Sequence, residues 1–183
     1  MSLLFSLFSM VTAVLGSLLL LRAYLWSLAI SPRDPLVAFA WKFTDWLVNP
    51  IQSVIKPRGV WDYPTLLAAV ITAIVHTLVM KELTGFPVTA SGFVLAPVAL
   101  VVRWAIELVS WGVIIYCIMS FMARARYSPF FALLHTLCNP FLSPIRKLLP
   151  TVRGFDLSPI VLFILLNIVL HYILPISHGL VMF

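Results

Sequence analysis

With 62% hydrophobic and only 10% charged side chains over 183 residues and a mean hydropathy of +1.10, the composition excludes an ordinary soluble domain and makes a bilayer the solvent. The net charge of +6 does not point to nucleic acid, because there is no basic run and no interleaved aromatic platform. Cys117 and Cys138 show neither a CxxC spacing nor a pairing pattern and read as reduced packing residues.

A hydrocarbon core of about 30 Å needs about 20 apolar residues per helix, and four runs are of that order. The first, Leu3 to Ile30, lacks a basic leading region and is too long for a secretory signal, so it reads as a retained helix. A loop from Ser31 to Tyr63 follows, with Leu36, Phe39, Ala40, Phe43, Trp46 and Leu47 on one helical face and Lys42, Asp45 and Asn49 on the other, the pattern of an interfacial helix. The second span covers Pro64 to Met80 and the third Phe93 to Ala123. A second loop, Arg124 to Leu157, sets Phe130, Phe131, Leu134 and Leu137 against His135 and Thr136, and the fourth span is Ser158 to Leu174. Both loop helices are expected to end at an Asn-Pro step, with only a turn of helix between Pro144 and Pro150. The two loops hold nine Lys and Arg residues, whereas the connection between spans two and three holds only Lys81. By the positive-inside rule the loops are expected in the cytoplasm and both termini in the periplasm.

The chain also says nearly the same thing twice. The stretch from Asp34 matches the stretch from Ser128, pairing Asn49-Pro50 with Asn139-Pro140, Arg58-Gly59 with Arg153-Gly154, Asp62 with Asp156 and Pro64 with Pro159. The expected fold is therefore an all-α membrane protein of four transmembrane helices, built as two parallel tandem repeats, residues 1–90 and 91–183, each a helix, an amphipathic interfacial loop and a helix.

The second copy, with Asn139-Pro140, Pro144-Ile145-Arg146, Pro150, Gly154, Asp156 and Pro159, resembles the YggT family of bacterial membrane proteins, and the resemblance covers nearly the whole chain. The first copy departs from the pattern, with Val54 at the place of Pro144 and Lys56 at that of Arg146. The resemblance implies an inner-membrane protein linked to extracytoplasmic or osmotic stress, or to assembly of membrane complexes, with no enzymatic activity. The loop residues Asn49, Pro50, Lys56, Gly59 and Asp62, and their counterparts with Lys147, are candidates for docking lipids or protein partners. Arg146 and Lys147 sit where anionic headgroups would attract them.

Ionisable groups inside a membrane are costly and each needs a reason. Arg22 lies about 12 Å from the cytoplasmic end of the first span, at 1.5 Å per residue, so its stem could snorkel or its head could pair inside the bundle. Arg103 and Glu107 stand one turn apart and are expected to neutralise each other. His76 and His171 each fall 12 residues after Pro64 and Pro159, so the repeat reading puts them at equivalent positions. Two hydrogen-bonded polar residues are the expectation, with no metal or cofactor; the alternative is a pair of ligands to haem or another metal. No GxSxG, P-loop, HExxH or dinucleotide fingerprint is present. The sequence thus leads to a non-enzymatic accessory factor acting through other inner-membrane proteins, with a small channel or transporter subunit as the alternative. In the channel case the small stripe Thr65, Ala69, Ala73 and Thr77 is the candidate interface for a homo-oligomer.

Overall fold

A computed structural model describes residues 2–84, 90–122, 127–148 and 156–177. Among these there are six helices and no strand: α1 (Ser2–Ser27), α2 (Pro35–Val54), α3 (Tyr63–Thr84), α4 (Ala90–Phe121), α5 (Pro129–Leu148) and α6 (Ser158–Ser177). Four are long and apolar enough to cross a bilayer, over Leu3–Ser27, Tyr63–Leu83, Gly92–Phe121 and Ser158–Ile176. The order long, amphipathic, long occurs twice.

The helix boundaries follow from local chemistry. Helix α1 ends in a left-handed residue, Ala29 at φ 51°, with Ile30 N–H donating to the Leu25 carbonyl and Ala29 N–H to that of Trp26. That is the Schellman arrangement, here closed without the usual glycine. Asp34 caps α2 by accepting the Leu36 N–H at 2.9 Å, with Pro35 in the first turn where its missing N–H costs nothing. Asp62 caps α3 by accepting the Thr65 N–H at 3.4 Å and also accepts the Thr65 hydroxyl at 2.5 Å, and Asp156 accepts the Ser158 N–H at 3.0 Å ahead of α6.

The Asn-Pro steps do not end the loop helices. Helix α2 continues through Pro50 to Val54, and α5 through Pro140 and Pro144 to Leu148. A proline inside a helix removes one N–H and frees the carbonyl four residues earlier. The carbonyls so freed belong to Trp46, Thr136 and Pro140, all exposed residues, where outside groups can satisfy them.

The chain divides into two compact units: residues up to Ala105 with the end of α6 from Ile173 form one, Ile106–Tyr172 the other. In the first unit α1, α2 and α3 pack on one another. Helices in lipid gain little from apolar contact alone and approach closely through small residues. Thr65, Ala69, Ala73 and Thr77 are buried in this unit. The stripe expected to serve an oligomer is thus consumed within the protein. Trp104, 1% exposed, fits against Gly16, where an added Cβ would lie 2.1 Å from the indole. In the second unit Val113 and Tyr116 of α4, Leu134, Cys138, Leu142 and Ile145 of α5 and Leu162 of α6 form one core.

Helix α2 buries Val37, Ala40, Thr44 and Val48, not the aromatic face. Phe39, Phe43 and Trp46 point away from the helix bundle, 49%, 50% and 66% exposed. Arg22 of α1 meets Thr44 of α2, and Leu19 of α1 and Val48 of α2 share one core with Ala68 and Ala69 of α3.

Candidate functional site

Each unit ties its amphipathic helix to its membrane helices through one arginine and one capping aspartate. In the first unit Arg22 of α1 is 3% exposed. Its guanidinium donates to Thr44 Oγ1 at 2.9 Å and to Asp45 Oδ1 at 2.6 Å, and Nε lies 3.9 Å from Asp62 Oδ2. The indole of Trp41 lies under it, 5.3 Å from ring centroid to Cζ. Arg22 therefore pairs inside the bundle and does not snorkel. A buried arginine is sustainable only with such charge partners, and it is in turn the cation beside Asp62, 2% exposed, although its Nε makes no hydrogen bond among the described residues. Arg103 and Glu107 are therefore not the sole interior charges of opposite sign; both are half-buried on α4 and neither lacks an interaction partner.

In the second unit the cation comes from the amphipathic helix. Arg146 Nε donates to Asp156 Oδ2 at 2.7 Å, one terminal nitrogen to Tyr116 Oη at 3.1 Å, and the other to Asn139 Oδ1 at 3.4 Å. Burial works against ionising Asp156, but the hydrogen bonds from Ser158 and Arg146 outweigh it and hold the carboxyl below its ordinary range. Burial pushes the Cys138 thiol up to about 11 against the pull of Arg146, so it stays protonated and unreactive at neutral pH.

Of the loop residues singled out from sequence, Asn139, Arg146 and Asp156 come together, as do Asp62 and Arg22. Asn49, Pro50, Lys56, Pro140, Pro144 and Lys147 are exposed. Gly59 adopts φ +63° in the turn bridged by Arg58 and Trp61, and its carbonyl accepts from Trp26 Nε1 at 3.3 Å. Pro150, Arg153 and Gly154 lie outside the described residues. Thr44 and Tyr116 were not singled out, and Asp45 only as part of the polar face of α2; all three lie far in sequence from the arginines they contact.

The two histidines differ in setting. His76 is buried, with Nδ1 2.7 Å from Thr12 Oγ1, its ring stacked on Phe8 and edge-on to Trp104. His171 is exposed and meets the ring of Tyr172. Among the described residues no three His, Cys, Asp or Glu side chains group as a metal site would require.

Four membrane-length helices and two amphipathic helices held to them by arginine–aspartate locks define a polytopic membrane protein. The chain belongs to the CCB3/YggT family, whose profile matches it twice, over residues 1–83 and 95–177. It is similar to the protein named YggT of Escherichia coli, 31% identical over 164 residues, covering 89% of this chain and 85% of the relative. A Pseudomonas aeruginosa protein is 31% identical over 163 residues, covering 85% of this chain and 82% of its own. One from Vibrio alginolyticus is 28% identical over 147 residues, or 79% of each. No solved structure matches.

The two family matches are displaced by 94 residues at both ends, 1 to 95 and 83 to 177. At that displacement α2 falls on α5 end for end, Asp62 on Asp156, Asp45 on Asn139 and Arg22 on Tyr116. Asn49-Pro50 then meets Ser143-Pro144, and His76 meets Leu170, one residue short of His171. Asp62 and Asp156 each stand just ahead of a membrane-length helix, with a cation from α1 beside the first and one from α5 on the second.

Proposed function

We propose that the chain is a non-enzymatic accessory factor of the bacterial inner membrane, made of two tandem, similarly oriented copies of one unit, which docks other membrane proteins along its amphipathic helices. The observation that carries this reading is the outward aromatic face of α2, where Phe39, Phe43 and Trp46 stay exposed although the same helix already buries a full opposite face. The small inward face is taken up by α1 and α3, so the aromatic face beside the exposed Lys42 is left free to meet a protein partner. Two further features support the reading. The buried charge of Arg22 is engaged by Asp45 and lies beside Asp62, and the double family match agrees with a duplicated scaffold. The roles the family likeness implies, stress response and assembly of membrane complexes, are both of the kind a docking scaffold serves.

Photo-crosslinking residues placed at Phe43 and Phe130, with Ile164 as a lipid-facing control, test it in native membranes. Discrete adducts with an integral membrane protein are expected from the first two positions only; lipid adducts alone would overturn the docking role. The orientation is tested separately by Arg58→Cys, expected to resist an impermeant thiol reagent in intact cells and to react in inverted vesicles.

A further inference from the structure

A second surface lies away from α2, on the membrane-facing side of α3 and the first turns of α4. Val70, Ile74 and Thr77 of α3 and Phe93, Val94 and Val98 of α4 line a groove of about 290 Å³. Its walls are almost wholly apolar, since the Thr77 hydroxyl turns back to the Ala73 carbonyl at 2.9 Å. Val94 and Val98 remain 68% and 59% exposed, at bilayer depth within two membrane-length helices.

Positions 70, 74, 77 and 81 follow the i, i+4, i+7, i+11 spacing of one helix face. Lys81 thus continues the groove toward the α3–α4 connection, and its Nζ lies 5.7 Å over the ring of Phe93, a wall residue. From Val70 to Lys81 the rise is about 16 Å, close to half of a hydrocarbon core of about 30 Å. The groove therefore runs the depth of one leaflet and ends in an ammonium at headgroup level. Glu82 is exposed about 100° further round the helix, which disfavours a headgroup with several negative charges.

We propose that this groove is a glycerophospholipid site, with one acyl chain along the Val70–Thr77 face and a single phosphate on Lys81. The site is independent of the docking reading, because it shares no residue with α2 or α5. Charge complementarity and the leaflet-length match select a lipid over a second protein helix, which would have no use for an ammonium at the groove's end.

The test is native mass spectrometry of the whole chain in mild detergent, titrated with palmitoyl-oleoyl phosphatidylglycerol. Lys81→Gln is expected to weaken retention of the bound lipid about tenfold, the effect of losing one charge-assisted contact. Val98→Phe, which fills the groove while keeping the lysine, should do the same. Arg33→Gln, an exposed charge elsewhere, should change nothing. Lipid-free melting temperatures of all variants are compared, so that a folding defect is separated from a binding one. Retention within twofold of the parent chain in either groove variant, an equal loss in Arg33→Gln, or a co-purifying polypeptide released by Val98→Phe would each overturn the lipid assignment.

Discussion

Replacing Arg22 by methionine keeps the length and apolar stem of the side chain and removes its charge, hydrogen bonds and planar contact with Trp41. Its side chain is 4% exposed, and so is nearly as dry as that of Asp62 at 2%, so the substitution strands a buried carboxylate with only the Thr65 contacts. Breaking a buried pair from one side costs about 3–5 kcal/mol. Asp45, the closer partner at 2.6 Å, is 42% exposed, and solvent screens what it contributes; Asp45→Asn should cost about 1 kcal/mol or less. The shortest contact is thus expected to be the less important one. Equilibrium unfolding in mixed micelles reads both values, and adding Asp62→Asn to Arg22→Met should recover part of the loss by removing the stranded charge. A cost for Arg22→Met within about 1 kcal/mol of zero, or no larger than that of Asp45→Asn, would refute the lock.

Gly16→Ala should cost about 1–3 kcal/mol by forcing Trp104 from its seat, read as lower unfolding stability and a red-shifted indole emission. Ala29→Gly should stabilise by up to about 1 kcal/mol, since the left-handed backbone at the end of α1 then carries no Cβ; a loss on the same unfolding assay would count against the Schellman geometry. The carboxyl of Asp156 is held low in the folded state, so its contribution of about 1 kcal/mol is present above the ordinary carboxylate pKa of about 3.9 and disappears as pH falls through the lowered value. The gap between the parent chain and Asp156→Asn, followed by hydrogen exchange in α5 and α6, should be constant above that range and close below it. His76→Ala should cost about 1 kcal/mol through the lost Thr12 contact, and the purified parent chain should show no Soret band.

The spans and the amphipathic loop helices were legible because hydrophobic length and 3.6-residue spacing are local properties. The arginine locks were not. Asp45 and Asp62 stand 23 and 40 residues from Arg22, and only the fold of α2 and α3 across α1 brings them to it. Asp62 reads as a loop residue for the same reason, although it is a buried cap. The aromatic stripe of α2 is legible in the sequence but its direction relative to the bundle is not, since the inward stripe of Val37, Ala40, Thr44 and Val48 is small and mixed. The prolines misled because a local rule about helix ends gives way where the freed carbonyls face outward.

The lock in the first unit also sets an order on biosynthesis. When α1 leaves the ribosome Arg22 has no counter-ion, and the carboxylate of Asp62 is synthesised 40 residues later, about 2–8 s at 5–20 residues per second. An arginine left unpaired five residues before the end of α1 is costly to hold in lipid, so its head should stay at the headgroups or within the insertion machinery until its partners arrive. Nascent chains stalled before Asp62 should therefore leave α1 extractable at high salt or alkaline pH, whereas chains stalled after α3 should resist both.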